Sequence, residues 1–367
     1  MILNFALWDV SPEIFPIGPL QVRWYGLLFA LGFLIGQQIL IRIYKREGKS
    51  EKDVETLTIY MVIATIVGAR LGHVFFYDWA EYKNNLIKIL YIWEGGLASH
   101  GAAIGILIAI YLYSKKATHQ SYFYVLDRLV ITIAFAGCLI RLGNLMNSEI
   151  IGKPTNAPTA FLFVSDTKRL IEEKASRIVY NVDIKETGKK IPDYDLGINL
   201  AEVNIRMDIK KNKLNNDPAA YISRLIEDTI SKYSLVAENM VFLKPVSTEI
   251  KYNKDGTATA VVQAGAIPRH PAQLYEAFSS FLLFLLLLYV YNRKKGKTPE
   301  GRIFGLFVVI LFSLRFLYEF NKENQVDFES GMIAELGINM GQLLSIPFIL
   351  AGIFILMRSF RKKNEVI

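Results

Sequence analysis

The chain has very little of what most enzymes use for chemistry. Its 367 residues include one cysteine and four histidines. A single thiol, Cys138, excludes an internal disulfide framework, and it sits in an apolar run where a small thiol serves packing. The histidines are scattered, so no metal-ligand spacing exists and we expect no metal. There is no Gly-x-Ser-x-Gly elbow or pair of membrane aspartates, which argues against an intramembrane protease. No internal repeat stands out, as inverted-repeat transporters would show. The first residues, Met1 to Pro16, carry Asp9 and Glu13 and lack a basic n-region, so no cleaved signal peptide is expected.

Apolar residues are plentiful. They make up 52% of the chain, and the mean hydropathy is positive. Seven runs have the length of membrane spans: about 17–43, 54–77, 97–113, 124–146, 271–291, 303–320 and 340–357. The expected fold is therefore an all-α polytopic membrane protein. The net charge of +8 would suggest nucleic acid in a soluble chain. Here the basic residues follow the odd runs, as in Arg42-x-x-Lys45-Arg46, Lys115-Lys116, Arg293-Lys294-Lys295 and Arg358 to Lys363, so we read an orientation signal and expect no nucleic-acid partner. The bias places the N-terminus outside and the C-terminus in the cytoplasm. Between the fourth and fifth runs lies a polar segment, 167–263. Asp217-Pro218 opens an amphipathic helix, 201–210 alternates like a strand, and 248–252 with 257–263 flank Asn253-Lys254-Asp255-Gly256 as a hairpin. The expected organisation is a membrane domain in two stretches, residues 1–166 and 264–367, interrupted by a small extracytoplasmic α/β insert over 167–263.

Polar residues recur at the predicted outer ends of the spans. Arg141, Asn144, Asn147 and Glu149 close the fourth run, with glycines at 143 and 152. A charged group at the end of a membrane helix costs several kcal/mol unless paired or wetted, which makes it a functional-site hypothesis by default. The competing reading is an arginine that snorkels to the interface and pairs with Glu149. Gln21, Arg23, Trp24 and Tyr25 come from the first span, the loop from Trp93 to Gly101 precedes the third, and Arg269 to Glu276 opens the fifth. Two arginines in one membrane-level pocket call for an anion, and guanidinium geometry suits a phosphate. His100 stands between Ser99 and Gly101. Imidazole titrates near neutrality and suits proton removal from a nucleophile, while an interface histidine remains the alternative. His270 before Pro271 reads as a cap and His119 as surface. Arg70 with His73, and Arg315 with Glu319, read as buried pairs locking helices.

The blocks Arg141-x-Gly-Asn-x-x-Asn-x-Glu149 with Gly152, Leu97-Ala-Ser-His-Gly-Ala-Ala-Ile-Gly105, Arg269-His-Pro-Ala-Gln-Leu-Tyr-Glu276, Gly68-Ala-Arg-Leu-Gly72 and Met340-Gly-Gln-Leu-Leu-Ser-Ile-Pro347 resemble the bacterial prolipoprotein diacylglyceryl transferases. The resemblance implies a transferase of the bacterial inner membrane. Its reaction moves the diacylglyceryl group of phosphatidylglycerol to the lipobox cysteine thiol of a prolipoprotein and releases glycerol phosphate, with no cofactor. By position it implies Tyr25, His100, Arg141, Asn144, Glu149, Gly152 and Arg269 as functional, Arg141 holding the headgroup. Asn147 and Glu276 join them as binding candidates, and His100, Arg141 and Arg269 as catalytic ones. An arginine field that lowers the thiol pKa, with His100 only hydrogen-bonding, is the other assignment. Two departures stand out. Segment 167–263 exceeds the usual outer loop, and Ser148 and Ile150-Ile151 replace a commoner glycine and leucine-tryptophan pair. A transporter or flippase holding an anionic headgroup is the alternative class.

Overall fold

The computed structural model describes residues 5–17, 20–92, 95–116, 120–211, 217–254, 257–294, 296–322 and 337–364. Trp93, Glu94, His119, Lys295 and the hairpin tip Asp255-Gly256 lie outside them. The backbone forms long helices α1 (Trp24–Arg46), α2 (Glu51–Phe76), α3 (Ser99–Lys116) and α4 (Tyr122–Met146). Shorter helices α5 (Ser165–Lys174) and α6 (Pro218–Asp228) follow, then α7 (Ala272–Arg293), α8 (Arg302–Tyr318) and α9 (Met340–Asn364). Among the described residues six helices are long and apolar enough to cross a membrane, all of the long ones except α3. α3 has 18 residues, with Ser99 and His100 at one end and Lys115 and Lys116 at the other. At about 1.5 Å per residue its apolar middle falls short of a ~30 Å hydrocarbon core. α3 is thus a short one among the seven expected spans, with Lys115 and Lys116 placed to snorkel to the interface at its end.

The contacts divide the chain into two compact units. One comprises Leu28–Ile140, Ala277–Leu317 and Met340–Ile367. Its core gathers Leu40, Tyr44, Leu57, Met61, Ile110, Val130, Ile131, Leu287, Tyr291, Ile303 and Phe307. Ile59, Ile63, Val67, Leu350 and Phe354 are large and exposed, as expected of helix faces solvated by lipid. α2 and α3 approach through small residues. A Cβ on Gly72 would lie 2.6 Å from the Gly101 Cα, and one on Gly105 would lie 2.6 Å from the Ala64 carbonyl oxygen. Such backbone-to-backbone contact supplies the dispersion that drives helix pairing where no hydrophobic effect operates.

The other unit comprises Met1–Leu27, Arg141–Glu276 and Tyr318–Asn339. It is built on an antiparallel sheet of β5 (Val179–Asp193), β6 (Ile198–Ile209), β9 (Ala258–Ala266) and β7 (Met240–Phe242) in that order, with β8 (Thr248–Tyr252) also on β9. The expected hairpin is β8–β9, with Tyr252 opposite Ala258. Alternation buries Val203, Ile205, Met207 and Ile209 of β6 and Ala258, Ala260, Val262, Ala264 and Ala266 of β9. Ile171 of α5 and Ile222 and Ile226 of α6 belong to the same cluster, each contributing about 1.5–3 kcal/mol by burial. Asp217 caps α6 by accepting from the Ala220 amide at 3.2 Å, ahead of Pro218. The unit also carries a parallel pair, β1 (Ala6–Trp8) with β4 (Phe161–Phe163), and a hairpin of β2 (Glu13–Ile17) and β3 (Leu20–Arg23).

Candidate functional site

The last turn of α4 and the loop behind it set the geometry. Arg141 Nε lies 2.7 Å from Glu276 Oε2, and its Nη1 donates to Asn144 Oδ1 at 3.3 Å. Asn144 passes the contact on, donating from Nδ2 to Glu149 Oε2 at 3.3 Å. Asn147 Nδ2 donates to the other carboxylate oxygen at 3.2 Å. An amide therefore stands between guanidinium and Glu149, and the Arg141–Glu149 pair of the competing reading is an amide-bridged one. Asn144 is buried, Arg141 half-buried and Glu149 exposed.

Backbone closes this cluster from behind. Gln273, in the first turn of α7, donates from Nε2 to the Glu149 carbonyl at 2.6 Å. The loop itself is strained: Ser148 has φ +54° and Ile150 φ +58°, a region where side chains other than glycine are disfavoured. Both belong to the set, Ser148 and Ile150-Ile151, in which the sequence departs from the motif it resembles. The Ser148 hydroxyl is held 2.9 Å from that of Ser165. Gly143 lets Tyr25 lie across α4, since a Cβ there would fall 2.9 Å from the tyrosine ring.

Gly152 is a junction of three segments. Its amide donates to the His270 carbonyl at 3.0 Å, it bridges Lys322 in antiparallel fashion, and a Cβ would lie 2.6 Å from the His270 oxygen. Arg269 secures the junction. It is 4% exposed; Nη1 donates to the Gly152 carbonyl at 3.1 Å and Nε to the Glu238 carbonyl at 2.9 Å, and Nη2 also donates to Glu238. Its backbone bridges Pro154 and Phe161. Arg269 thus ties the sheet-bearing segment to the start of α7, whereas Arg141 contacts side chains that belong to the cluster. Burial holds the His270 imidazole below its usual pKa, with Nδ1 3.2 Å from the Tyr275 hydroxyl.

The sequence reading missed Lys322. Its Nζ lies 2.6 Å from Glu276 Oε1 and 3.7 Å from Glu319 Oε1. The available signal was Glu319-x-x-Lys322 directly after an apolar helix, an i, i+3 ion pair at a membrane end.

His100 belongs to the other compact unit. It is exposed at the start of α3, with Phe76 and Tyr77 rings 5.1 and 5.6 Å away. Arg70 and His73 do not pair with each other there. Arg70 donates to the carbonyls of Ile89 (2.8 Å), Lys88 (2.7 Å) and Gly95 (2.6 Å), while His73 pairs with Asp78 at 2.8 Å. Arg70 therefore fixes the loop that leads to His100. Cys138 is half-buried in α4. Among the described residues no group of three or more His, Cys, Asp or Glu could hold a metal.

Among the described residues, six helices long and apolar enough to cross a membrane, and a cluster of one arginine, two amides and two carboxylates, define a multi-pass membrane protein with a polar site. A sequence model of the family described as prolipoprotein diacylglyceryl transferase matches residues 12–358, and the chain belongs to that family of transferases. It is 33% identical to the phosphatidylglycerol–prolipoprotein diacylglyceryl transferase of Tolumonas auensis, over 97% of this chain and 98% of that one. A protein of the same name from Porphyromonas gingivalis is 34% identical over 97% and 95%, and one from Chloroherpeton thalassium 31% over 98% and 96%. Matches this complete run through 167–263, so the segment that looked overlong has its counterpart in these relatives.

Proposed function

We propose that the protein transfers the diacylglyceryl group of phosphatidylglycerol to the lipobox cysteine thiol of a prolipoprotein, in the inner membrane, with its N-terminus and insert outside and its C-terminus cytoplasmic. The observation that carries this reading is the half-buried Arg141, braced by Glu276 through Nε and by Asn144 through Nη1. A guanidinium held by one edge is pre-set to bind a phosphodiester with the rest. Tyr25, Asn147, Glu149 and Gly152 shape the headgroup place around it.

In the reaction the substrate sulfur forms a bond to the glycerol carbon while the bond from that carbon to the phosphate oxygen breaks. The electron pair leaves with that oxygen as glycerol phosphate, and the thiol proton passes to a base. Arg141 stabilises the charge developing on the departing phosphate in a site of low dielectric. His100 is assigned the proton, on the chemistry of imidazole. Arg269 supports the site by holding Gly152.

Purified protein, a lipobox peptide and phosphatidylglycerol labelled with heavy oxygen between the diacylglyceryl carbon and phosphorus test this. The expected result is a peptide heavier by one diacylglyceryl group and heavy oxygen in the glycerol phosphate. Label kept on the lipid side would place the attack at phosphorus and overturn the assignment.

A further inference from the structure

We propose that Lys322 is a positioning residue for the Arg141 site: by neutralising Glu276 from the side opposite Arg141, it keeps the guanidinium electrostatically available to an anionic headgroup. The inference rests on the reading above that Arg141 receives a phosphate.

Glu276 is 8% exposed and Lys322 6%. The carboxylate uses its two oxygens separately, Oε2 on Arg141 at 2.7 Å and Oε1 on Lys322 at 2.6 Å. A buried carboxylate with one cation forms a closed, neutral pair, and the field of that cation beyond the pair is largely cancelled. A second cation on the other oxygen restores it. Glu319 stands 3.7 Å from Lys322, and Asn339 Nδ2 donates to Glu319 at 3.3 Å. Without Lys322 the surroundings of Glu276 become more negative by one unit charge, directly behind the place where a phosphate is to bind. Lys322 is held where it stands by the backbone bridge to Gly152, which couples this neutralisation to the loop that carries Glu149.

The magnitude follows from Coulomb's law. One unit charge about 8–12 Å from the phosphate, across the carboxylate and the guanidinium, changes its binding on the order of ten- to thirtyfold at an effective dielectric near 20. An isosteric neutral substitution should therefore act on lipid affinity first and on the chemical step less.

The test uses the full-length protein in nanodiscs and compares wild type, Lys322→Met, Lys322→Arg and the double variant Lys322→Met/Glu276→Gln. Two quantities are measured: equilibrium binding of phosphatidylglycerol against phosphatidylcholine, and KM and kcat for peptide modification. We expect Lys322→Met to weaken phosphatidylglycerol binding and raise KM on the order of tenfold, with kcat changed by less than about threefold. Lys322→Arg should restore both. The double variant, which removes the uncompensated carboxylate with its partner, should bind better than Lys322→Met alone. A loss in Lys322→Met that the double variant fails to relieve, or one that falls equally on phosphatidylcholine, would assign Lys322 to packing and overturn the proposal. If the wild-type protein binds phosphatidylglycerol but modifies no peptide, the transferase reading fails while the binding series still decides the role of Lys322.

Discussion

Replacing Arg141 with lysine separates charge from geometry. The substitution keeps a cation beside Glu276, so no buried carboxylate is stranded and the fold should survive. Arg141→Ala would instead remove one of the two cations on Glu276 together with the packed stem of the side chain, which confounds activity with folding. What lysine cannot do is reach Glu276, Asn144 and a phosphate together. Arg141 already spends Nε at 2.7 Å and Nη1 at 3.3 Å on protein groups and still presents further N–H donors in the same plane; a lysine Nζ has three donors at one point. The loss is one or two charge-assisted hydrogen bonds to the headgroup, each about 1.5–3 kcal/mol. At about 1.36 kcal/mol per decade, kcat/KM should fall roughly ten- to hundredfold for each bond. The assay follows the initial rate of peptide mass gain against phosphatidylglycerol concentration, with thermal unfolding in the same detergent as control. A lysine variant within about twofold of wild type, at unchanged melting temperature, would refute the argument that the fork matters.

Three further outcomes follow from packing and protonation. Burial lowers the His270 pKa from its ordinary value of 6.5, so near that pH the unfolded state binds more protons than the folded one; stability is fully present above about 6.5 and falls as pH drops toward the folded value. Unfolding temperatures measured across that window should decline on acidification, and His270→Gln should remove part of the slope. Gly72→Ala places a methyl 2.6 Å from the Gly101 Cα, which cannot yield as a side chain can, whereas a Cβ on Gly26 meets nothing within 4 Å. The first should cost about 1–3 kcal/mol and lower the melting temperature, the second should not, and equal effects would contradict the close α2–α3 approach. Ser148→Gly relieves a left-handed residue by about 1–2 kcal/mol but loses the hydroxyl contact to Ser165, so it should be near neutral. Ser148→Ala loses the contact and keeps the strain, so the alanine variant should unfold at the lower temperature; the reverse order would show that Ser148 is not strained.

The membrane helices were legible because twenty-odd apolar residues admit few alternatives, and the β8–β9 hairpin because its two strands alternate around a turn. β5 was not foreseen. Its stretch Lys185-Glu186-Thr187-Gly188-Lys189-Lys190 is polar, and it becomes strand by pairing with β6, Glu186 opposite Val203 and Lys190 opposite Ala201, a tertiary choice that local pattern does not announce. α3 is less plain than the other six, since Ser99 and His100 at one end and Lys115 and Lys116 at the other dilute its apolar middle. At the site, Arg141 with its two asparagines and Glu149 could be named from spacing alone. That Asn144 separates Arg141 from Glu149, and that Glu276 takes the place expected of Glu149, depends on which rotamers α7 brings against α4. Spacing along one chain carries no such information.

Arg141 and Arg269 were indistinguishable as sequence: each is an arginine at the end of a membrane helix, set among small and amide residues. Their acceptors separate them. Arg269 donates to main-chain carbonyls of Glu238 and Gly152, groups fixed by the strands and bridges around them, and is nearly sealed from solvent. A guanidinium bound that way acts as a rivet, because any movement toward a ligand would orphan buried carbonyls at about 1–3 kcal/mol each. Arg141 donates to side chains that can each adjust by a rotamer and is still partly exposed. Its principal partner, Glu276, is shared with Lys322, so the carboxylate does not depend on it alone. The arginine whose partners can be partly released without stranding a charge is the one to which the proposed function gives the phosphate. The two arginines are joined through Gly152, Lys322 and Glu276, so under the proposed function the sheet-bearing segment would set the position of the headgroup site.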